Sequence, residues 1–247
     1  MPVTVVVITG GLSGIGAATA LAFADEGAKL VLGAIDIRSG DELVEQVRAR
    51  GGDAVVLRAD VRDFEQCAAL AALALDRFGT IGVLVANAGI GDQSSAEGGD
   101  PARWRAVLET NLLGAAHTVR AVLPTMLESG SGHVFLTASV SGRETYVGEP
   151  LYIASKWGLV GYGHALRREL SDSGVRVTLV EPGLVDTPLV RDNPAVSGLL
   201  DACEPLAPED VARSIIYAFQ QPPHVLVSEL TVRPLRQGEP TFRVKPA

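Results

Sequence analysis

The sequence is short of cysteine, of positive charge and of long apolar runs, and each shortage narrows the function. Its 247 residues include two cysteines, Cys67 and Cys203. Neither has metal-ligand spacing around it, so no metal site is expected and both are read as thiols of a reducing compartment. Lys and Arg number 21 against 29 Asp and Glu, a formal net charge of −8. Nucleic-acid binding favours a basic surface, so that partner class is not expected. No apolar stretch reaches the roughly 20 residues of a membrane-spanning helix. The start, MPVTVVVITGG, lacks the basic region and cleavage site of a secretion signal. The expectation is a cytoplasmic protein with no membrane partner. Linkers, internal repeats and low-complexity stretches are also missing, so residues 1–247 read as a single domain.

What is present is core material: 47% hydrophobic residues and 20% charged ones. Short β-branched runs alternate with helical stretches along the whole chain. TVVVITG, KLVLGAI, AVVLRAD, IGVLVANAG, GHVFLTAS, VRVTLVEPG and HVLVSELTVRP read as strands. Between them lie helices at about 15–26, 41–50, 61–78, 101–128, 151–171 and 208–219, the fourth with a kink near Gly114. The strands are continuous apolar runs rather than alternating ones, which suits strands covered on both faces. The fold expected is α/β: a doubly wound parallel sheet with helices on both faces and right-handed crossovers. The stretch 187–208 has no clear element and reads as a substrate loop or lid.

ITGGLSGIG ends the first strand and opens the first helix. Gly10, Gly14 and Gly16 give G-x-x-x-G-x-G, with Leu12, Ser13 and Ile15 between them. Glycines there permit a tight turn and a close backbone approach, and a helix N-terminus faces bound phosphate. Asp36 closes the second strand. A carboxylate there accepts ribose hydroxyls and repels a 2′-phosphate, which favours NAD(H) over NADP(H) despite Arg38 nearby. Asp60 and Val61, after the third strand, are placed to bracket an adenine, with Asp60 accepting from its amine. Asn87, Ala88 and Gly89 end the fourth strand and leave room for a ribose.

Tyr152 and Lys156 stand one helical turn apart. A phenol with an ordinary pKa near 10 is a poor acid or base at neutral pH. A neighbouring ammonium favours the phenolate and brings the phenol toward the working range. Ser139, at the end of the fifth strand, points to the crevice where such sheets bind ligands. Asn111 is an odd amide inside the long helix, able to bond a backbone carbonyl or a water.

Taken in order, Thr9-Gly10-x-x-x-Gly14-Ile15-Gly16, Asp60, Asn87-Ala88-Gly89, Asn111, Ser139, Tyr152-x-x-x-Lys156 and Pro182-Gly183 resemble the short-chain dehydrogenase/reductase family in its short form. The resemblance covers almost the whole chain. It implies a Rossmann-type fold, a nicotinamide cofactor and hydride transfer between a secondary alcohol and a ketone. It further implies Tyr152 as general acid/base, Ser139 as holder of the substrate oxygen, Lys156 as tuner of the tyrosine and ribose ligand, and Asn111 as proton-relay support. Thr187 would hold the nicotinamide carboxamide, with backbone help from Val185. Relatives of this kind pair long helices into dimers or tetramers. Two features depart from common patterns. Ile35 and Asp36 stand where NADP(H)-dependent relatives carry arginines, and the glycine-rich tail of acyl-carrier-protein reductases is missing. The C-terminal stretch, by contrast, is similar to a branch where NADP(H) is common, so an NADPH-dependent ketoreductase of secondary metabolism is one alternative. A non-catalytic redox sensor is another, and its mark would be loss of Tyr152 or Lys156. The substrate walls are expected in 91–95, 141–149 and 188–204, mixing Val147, Leu189, Leu199 and Leu200 with Arg143, Glu144, Glu149 and Arg191.

Overall fold

Hydrophobic side chains on both sides of each strand decide the architecture. Val5 and Val7 of the first strand pack into one core, and Val6 and Ile8 pack into another on the opposite face. A strand with both faces buried must lie between two layers of helix. A computed structural model of the chain describes residues 4–193, 196–200 and 203–237. Residues 194–195 and 201–202 of the expected loop, the side chain of Leu199, and the two ends of the chain lie outside the described residues.

The elements run β1 Val5–Thr9, α1 Gly14–Asp25, β2 Lys29–Ala34, α2 Gly40–Ala49, β3 Asp53–Arg58, α3 Phe64–Phe78, β4 Val83–Ala86 and α4 Pro101–Leu108. They continue with α5 Gly114–Ser129, β5 Gly132–Thr137, α6 Pro150–Glu169, β6 Val175–Pro182, α7 Pro188–Arg191, α8 Pro208–Phe219 and β7 Glu229–Val232. The sheet order is β3-β2-β1-β4-β5-β6-β7, with every neighbouring pair parallel. The α/β doubly wound fold expected from the alternation is thus the fold observed. Apolar residues of α3, α5 and α6 fill one core, and those of α1, α2 and α8 fill the other. The chain reverses its direction of winding between β1 and β4. Such a switch point opens a crevice beyond the carboxyl ends of the strands.

Two local features bear on the site. Asp63 caps α3 by accepting from the Glu65 amide, and Asp100 caps α4 by accepting from the Ala102 amide. These caps fix where each helix leaves the sheet edge. The kink expected near Gly114 is a π-helical turn, Glu109–Leu113, joining α4 to α5. It turns Asn111 inward, and such turns recur at functional sites. The 187–208 stretch is more ordered than expected. It holds α7, a 3₁₀ turn at Ser197–Leu199, and a parallel bridge between Val185 and Leu206.

Candidate active site

The glycine turn is built so that only these residues fit. Gly10 and Gly14 take φ of +61° and +49°, a region closed to most side chains. Gly16 is held by close approach: a Cβ there would overlap the Gly10 carbonyl oxygen and lie 2.8 Å from Asn87 Nδ2. The turn delivers the N-terminus of α1 to the cleft with no acidic residue in its first turn. Ser13 precedes that helix, exposed, and its hydroxyl makes no capping bond. Backbone N–H groups and a hydroxyl therefore face outward at the positive end of a helix dipole, a fit for a pyrophosphate. Asn87 anchors the turn from β4, donating through Nδ2 to the carbonyls of Thr9 and Gly10 at 3.2 Å each.

The cleft has three adjoining chambers. The first, of about 370 Å³, is bounded by Leu12, Asp36, Ala59 and Val61 beside the glycine turn. The second, of about 190 Å³, is bounded by Gly14, Ile15, Asn87, Ser139, Tyr152 and Lys156. Ala88 and Gly89 line both of these, while Pro182, Gly183, Val185 and Thr187 line the second. The third, of about 110 Å³, shares Ser139 and Tyr152 with the second and reaches in to Ser141, Tyr146 and Glu149. Most of the residues expected from the sequence thus meet around one continuous cleft.

Several details differ from expectation. Asp60 does not line the first chamber. Its carboxylate is engaged by the Arg62 guanidinium at 2.9–3.0 Å, and this pairing holds its pKa down. The chamber wall comes instead from its neighbours Ala59 and Val61. Asp36 does line it, as an exposed carboxylate held down to about 2 by hydrogen bonds from the Arg38 side chain and amide. It is one half of an ion pair, not a lone charge. Of the expected substrate walls, Leu189 and Glu149 line the third chamber. Val147 points to solvent, 64% exposed. Arg143 is drawn away by Glu181 and Glu229, Glu144 by Arg233 and Tyr146, and Arg191 by Asp186.

The tyrosine and lysine also differ from the simple picture. Lys156 Nζ donates to the Thr137 carbonyl at 2.9 Å and lies 5.6 Å from the Tyr152 ring centroid. Its ammonium is bound to the end of β5 while standing over the phenol ring. Burial lowers Lys156 to about 8. The Tyr152 phenol is pushed well above its ordinary value by burial and by the charge of Glu149, opposed by its hydrogen bond with Ser139. Burial and Glu149 together thus outweigh the lowering expected from Lys156. Ser139 Oγ accepts from the Ser141 amide at 3.1 Å, which fixes the hydroxyl.

Asn111 stands behind the cleft. Its Oδ1 accepts from the Ile90 amide at 2.8 Å, and Nδ2 donates to the Ile90 carbonyl and to Ser155 Oγ at 3.0 Å each. Both amide protons are spent on structure, tying the π-helical turn to the end of β4 and to α6. Gly89 lies against it, a Cβ there falling 3.3 Å from Asn111 Oδ1 and 3.8 Å from Lys156 Nζ. Gln93 and Ser141, from the expected wall stretches 91–95 and 141–149, also line the third chamber. Sequence reading missed Gln237, which lines it too and carries no motif.

The family model for short chain dehydrogenases matches residues 4–196. The chain belongs to that family. An uncharacterised oxidoreductase of Staphylococcus saprophyticus is 40% identical over 233 residues, covering 94% of this chain and 97% of the relative. Among solved structures, an alcohol dehydrogenase of the archaeon Thermococcus sibiricus, complexed with 5-hydroxy-NADP, superposes with a TM-score of 0.87 at 29% identity. The match covers 97% of this chain and all of that one. A metagenomic short-chain oxidoreductase in complex with NADP gives a TM-score of 0.81 at 31% identity, over 94% and 96% of the two chains. This short-chain dehydrogenase is thus an oxidoreductase by family, and its solved neighbours hold nicotinamide dinucleotides in the same fold.

Proposed function

We propose that the chain moves a hydride between a nicotinamide cofactor and the carbinol carbon of a small secondary alcohol or ketone, with Tyr152 as general acid/base. One observation carries this reading. Ser139 from β5 and Tyr152 and Lys156 from α6 line a single chamber with the glycine turn of β1. The residues present fit the cofactor: the turn admits backbone close to a pyrophosphate, and the first chamber extends past it to Asp36. The bound nicotinamide supplies or accepts the hydride.

In reduction, the ketone oxygen accepts from Ser139 Oγ and the Tyr152 phenol. Hydride addition at carbon leaves charge on that oxygen, and the phenol proton passes to it, giving alcohol and phenolate. A phenol held above its ordinary pKa is protonated at neutral pH and ready to act as this acid. Ser139, with a lone pair already engaged by the Ser141 amide, keeps its proton for the substrate oxygen. Lys156 is charged below about pH 8 and presents donors toward ribose hydroxyls. Asn111 is a positioning residue that sets the end of β4. Tyr152→Phe is expected to keep cofactor binding and lose at least about 100-fold in turnover; near-normal turnover would falsify the assignment.

For the cofactor we propose a preference for NAD(H), supported by the ionised Asp36 carboxylate at the adenosine chamber. Arg38 works against it, and the NADP held by the solved neighbours lends it no support. Parallel fluorescence titrations with NADH and NADPH test it, and tighter NADPH overturns it. Asp36→Asn is expected to shift the ratio toward NADPH. We also propose a homo-oligomer acting in the cytoplasm. Leu113 and Trp157, 48% and 49% exposed near the α4–α5 junction and on α6, support a helix-paired interface. A monomer in sedimentation at micromolar concentration argues against it.

A further inference from the structure

Glu149 is a buried acid that the reaction above leaves unused. It is 6% exposed and lines the third chamber together with Ser139 and Tyr152. Ser141 Oγ donates to Glu149 Oε1 at 3.0 Å, and the Ser141 amide donates to Ser139 Oγ. A single residue therefore joins this carboxyl to the serine that holds the reacting oxygen. Gln93 hydrogen-bonds Glu149 from another side, and its own Oε1 accepts from Asn193 Nδ2.

The charges around Glu149 are few. Tyr152 and Tyr146 face it, both phenols whose ionisation its charge opposes. Beyond Tyr146, Glu144 and Arg233 are paired with each other. No lysine, arginine or histidine is among the described residues lining this chamber. A carboxylate has about four acceptor sites, and Ser141 and Gln93 fill two of them. The opposite wall is apolar, with Leu184, Leu189, Val190 and Val196. An acid with spare hydrogen-bonding capacity in so small a chamber needs a polar ligand group that can meet it.

We propose that Glu149 receives a hydroxyl next to the reacting carbon, so that the substrates are small uncharged hydroxyketones and vicinal diols. This rests on the reading that Ser139 and Tyr152 hold the reacting oxygen. A hydroxyl donates to a carboxylate and accepts from a carboxylic acid, so it satisfies Glu149 in either protonation state. An anionic substrate would meet the acid with no cation to offset it. A purely apolar one would bring no hydrogen-bonding group to the buried carboxyl.

The test compares kcat/KM for reduction of 3-hydroxybutan-2-one, butan-2-one and 2-oxobutanoate with saturating NADH or NADPH. The hydroxyketone is expected to exceed the plain ketone by about 10- to 100-fold, the range of a hydrogen bond to a charged partner, with the oxoacid poorest. Glu149→Leu is expected to bring the first ratio close to one. Glu149→Gln, which keeps an amide at the same reach, should give an intermediate ratio and serves if the leucine variant does not fold. Equal rates on the two ketones, an unchanged ratio in both variants, or a preference for the oxoacid overturns the proposal. Calorimetric binding of butane-2,3-diol and butan-2-ol to the protein saturated with reduced cofactor gives the same ranking without chemistry. A diol preference without turnover of any ketone keeps Glu149 as a hydroxyl-binding group and sinks the hydride-transfer reading. Turnover of the ketones without a diol preference does the reverse.

Discussion

Replacing Glu149 by glutamine isolates the free energy stored in one buried acid. Its carboxyl is raised from 4.5 to about 7, mainly by burial, with Ser141 and Gln93 hydrogen bonds acting in the opposite direction. The folded protein therefore binds this proton more tightly than the unfolded chain does. Below about pH 4.5 both states are protonated, and the contribution to stability is fully present. Between 4.5 and about 7 the unfolded chain releases the proton first, so stability falls as pH rises; above about 7 the loss is complete. The whole interval corresponds to about 3 kcal/mol, of which about 2.5 kcal/mol falls between about pH 5 and pH 8. Glutamine does not titrate. It also disturbs the contact with Gln93, but that cost is the same at both pH values and cancels in the comparison. Urea unfolding of the protein and of Glu149→Gln at the two pH values gives the number. The difference between them should move by about 2 to 3 kcal/mol in favour of the variant at the higher pH. A difference that stays flat refutes the placement of a desolvated acid in this chamber.

Two further perturbations address the cofactor cleft. Gly16→Ala puts a methyl group on the Gly10 carbonyl and 2.8 Å from Asn87 Nδ2, so the turn must open. Titration should show NADH and NADPH binding weakened by about tenfold or more, in line with an overpacking cost of about 1–3 kcal/mol; unchanged affinity would mean the turn does not touch the cofactor. Lys156 loses its charge as pH passes about 8. Dinucleotide affinity should therefore weaken above that pH in the wild type and become independent of pH in Lys156→Met. The same pH dependence in the variant would remove Lys156 from the ribose contact.

The fold was legible because burial on both faces is written directly into each strand. TVVVITG and VRVTLVEPG hold no alternation to conceal. The site was legible where a motif is local. Gly10 to Gly16 and Tyr152 to Lys156 span one turn or loop each, so spacing places their backbones, though not the partners of each side chain. Pairings between segments were less legible. Nothing in LRADVRD says that Asp60 turns to Arg62 and leaves the wall of the first chamber to Ala59 and Val61. In LGAIDIRSG, Asp36 and Arg38 were both visible, but not that the two would close on each other.

The tyrosine shows most clearly why local spacing is insufficient. Four residues of helix place Lys156 one turn from Tyr152, and an ammonium at that separation in water would favour the phenolate. Inside the protein the direction of the ammonium matters more than its distance along the helix. Thr137 at the end of β5 supplies a carbonyl that captures Lys156 Nζ, while Glu149, three residues before the tyrosine, lends the phenol a neighbouring negative charge. The balance is therefore set first by burial, and then by an acid that no motif marks. Burial also strengthens the second effect, because charges interact more strongly where water is excluded. A tyrosine in such surroundings is protonated at neutral pH, the form that the proposed proton donation to a ketone oxygen requires.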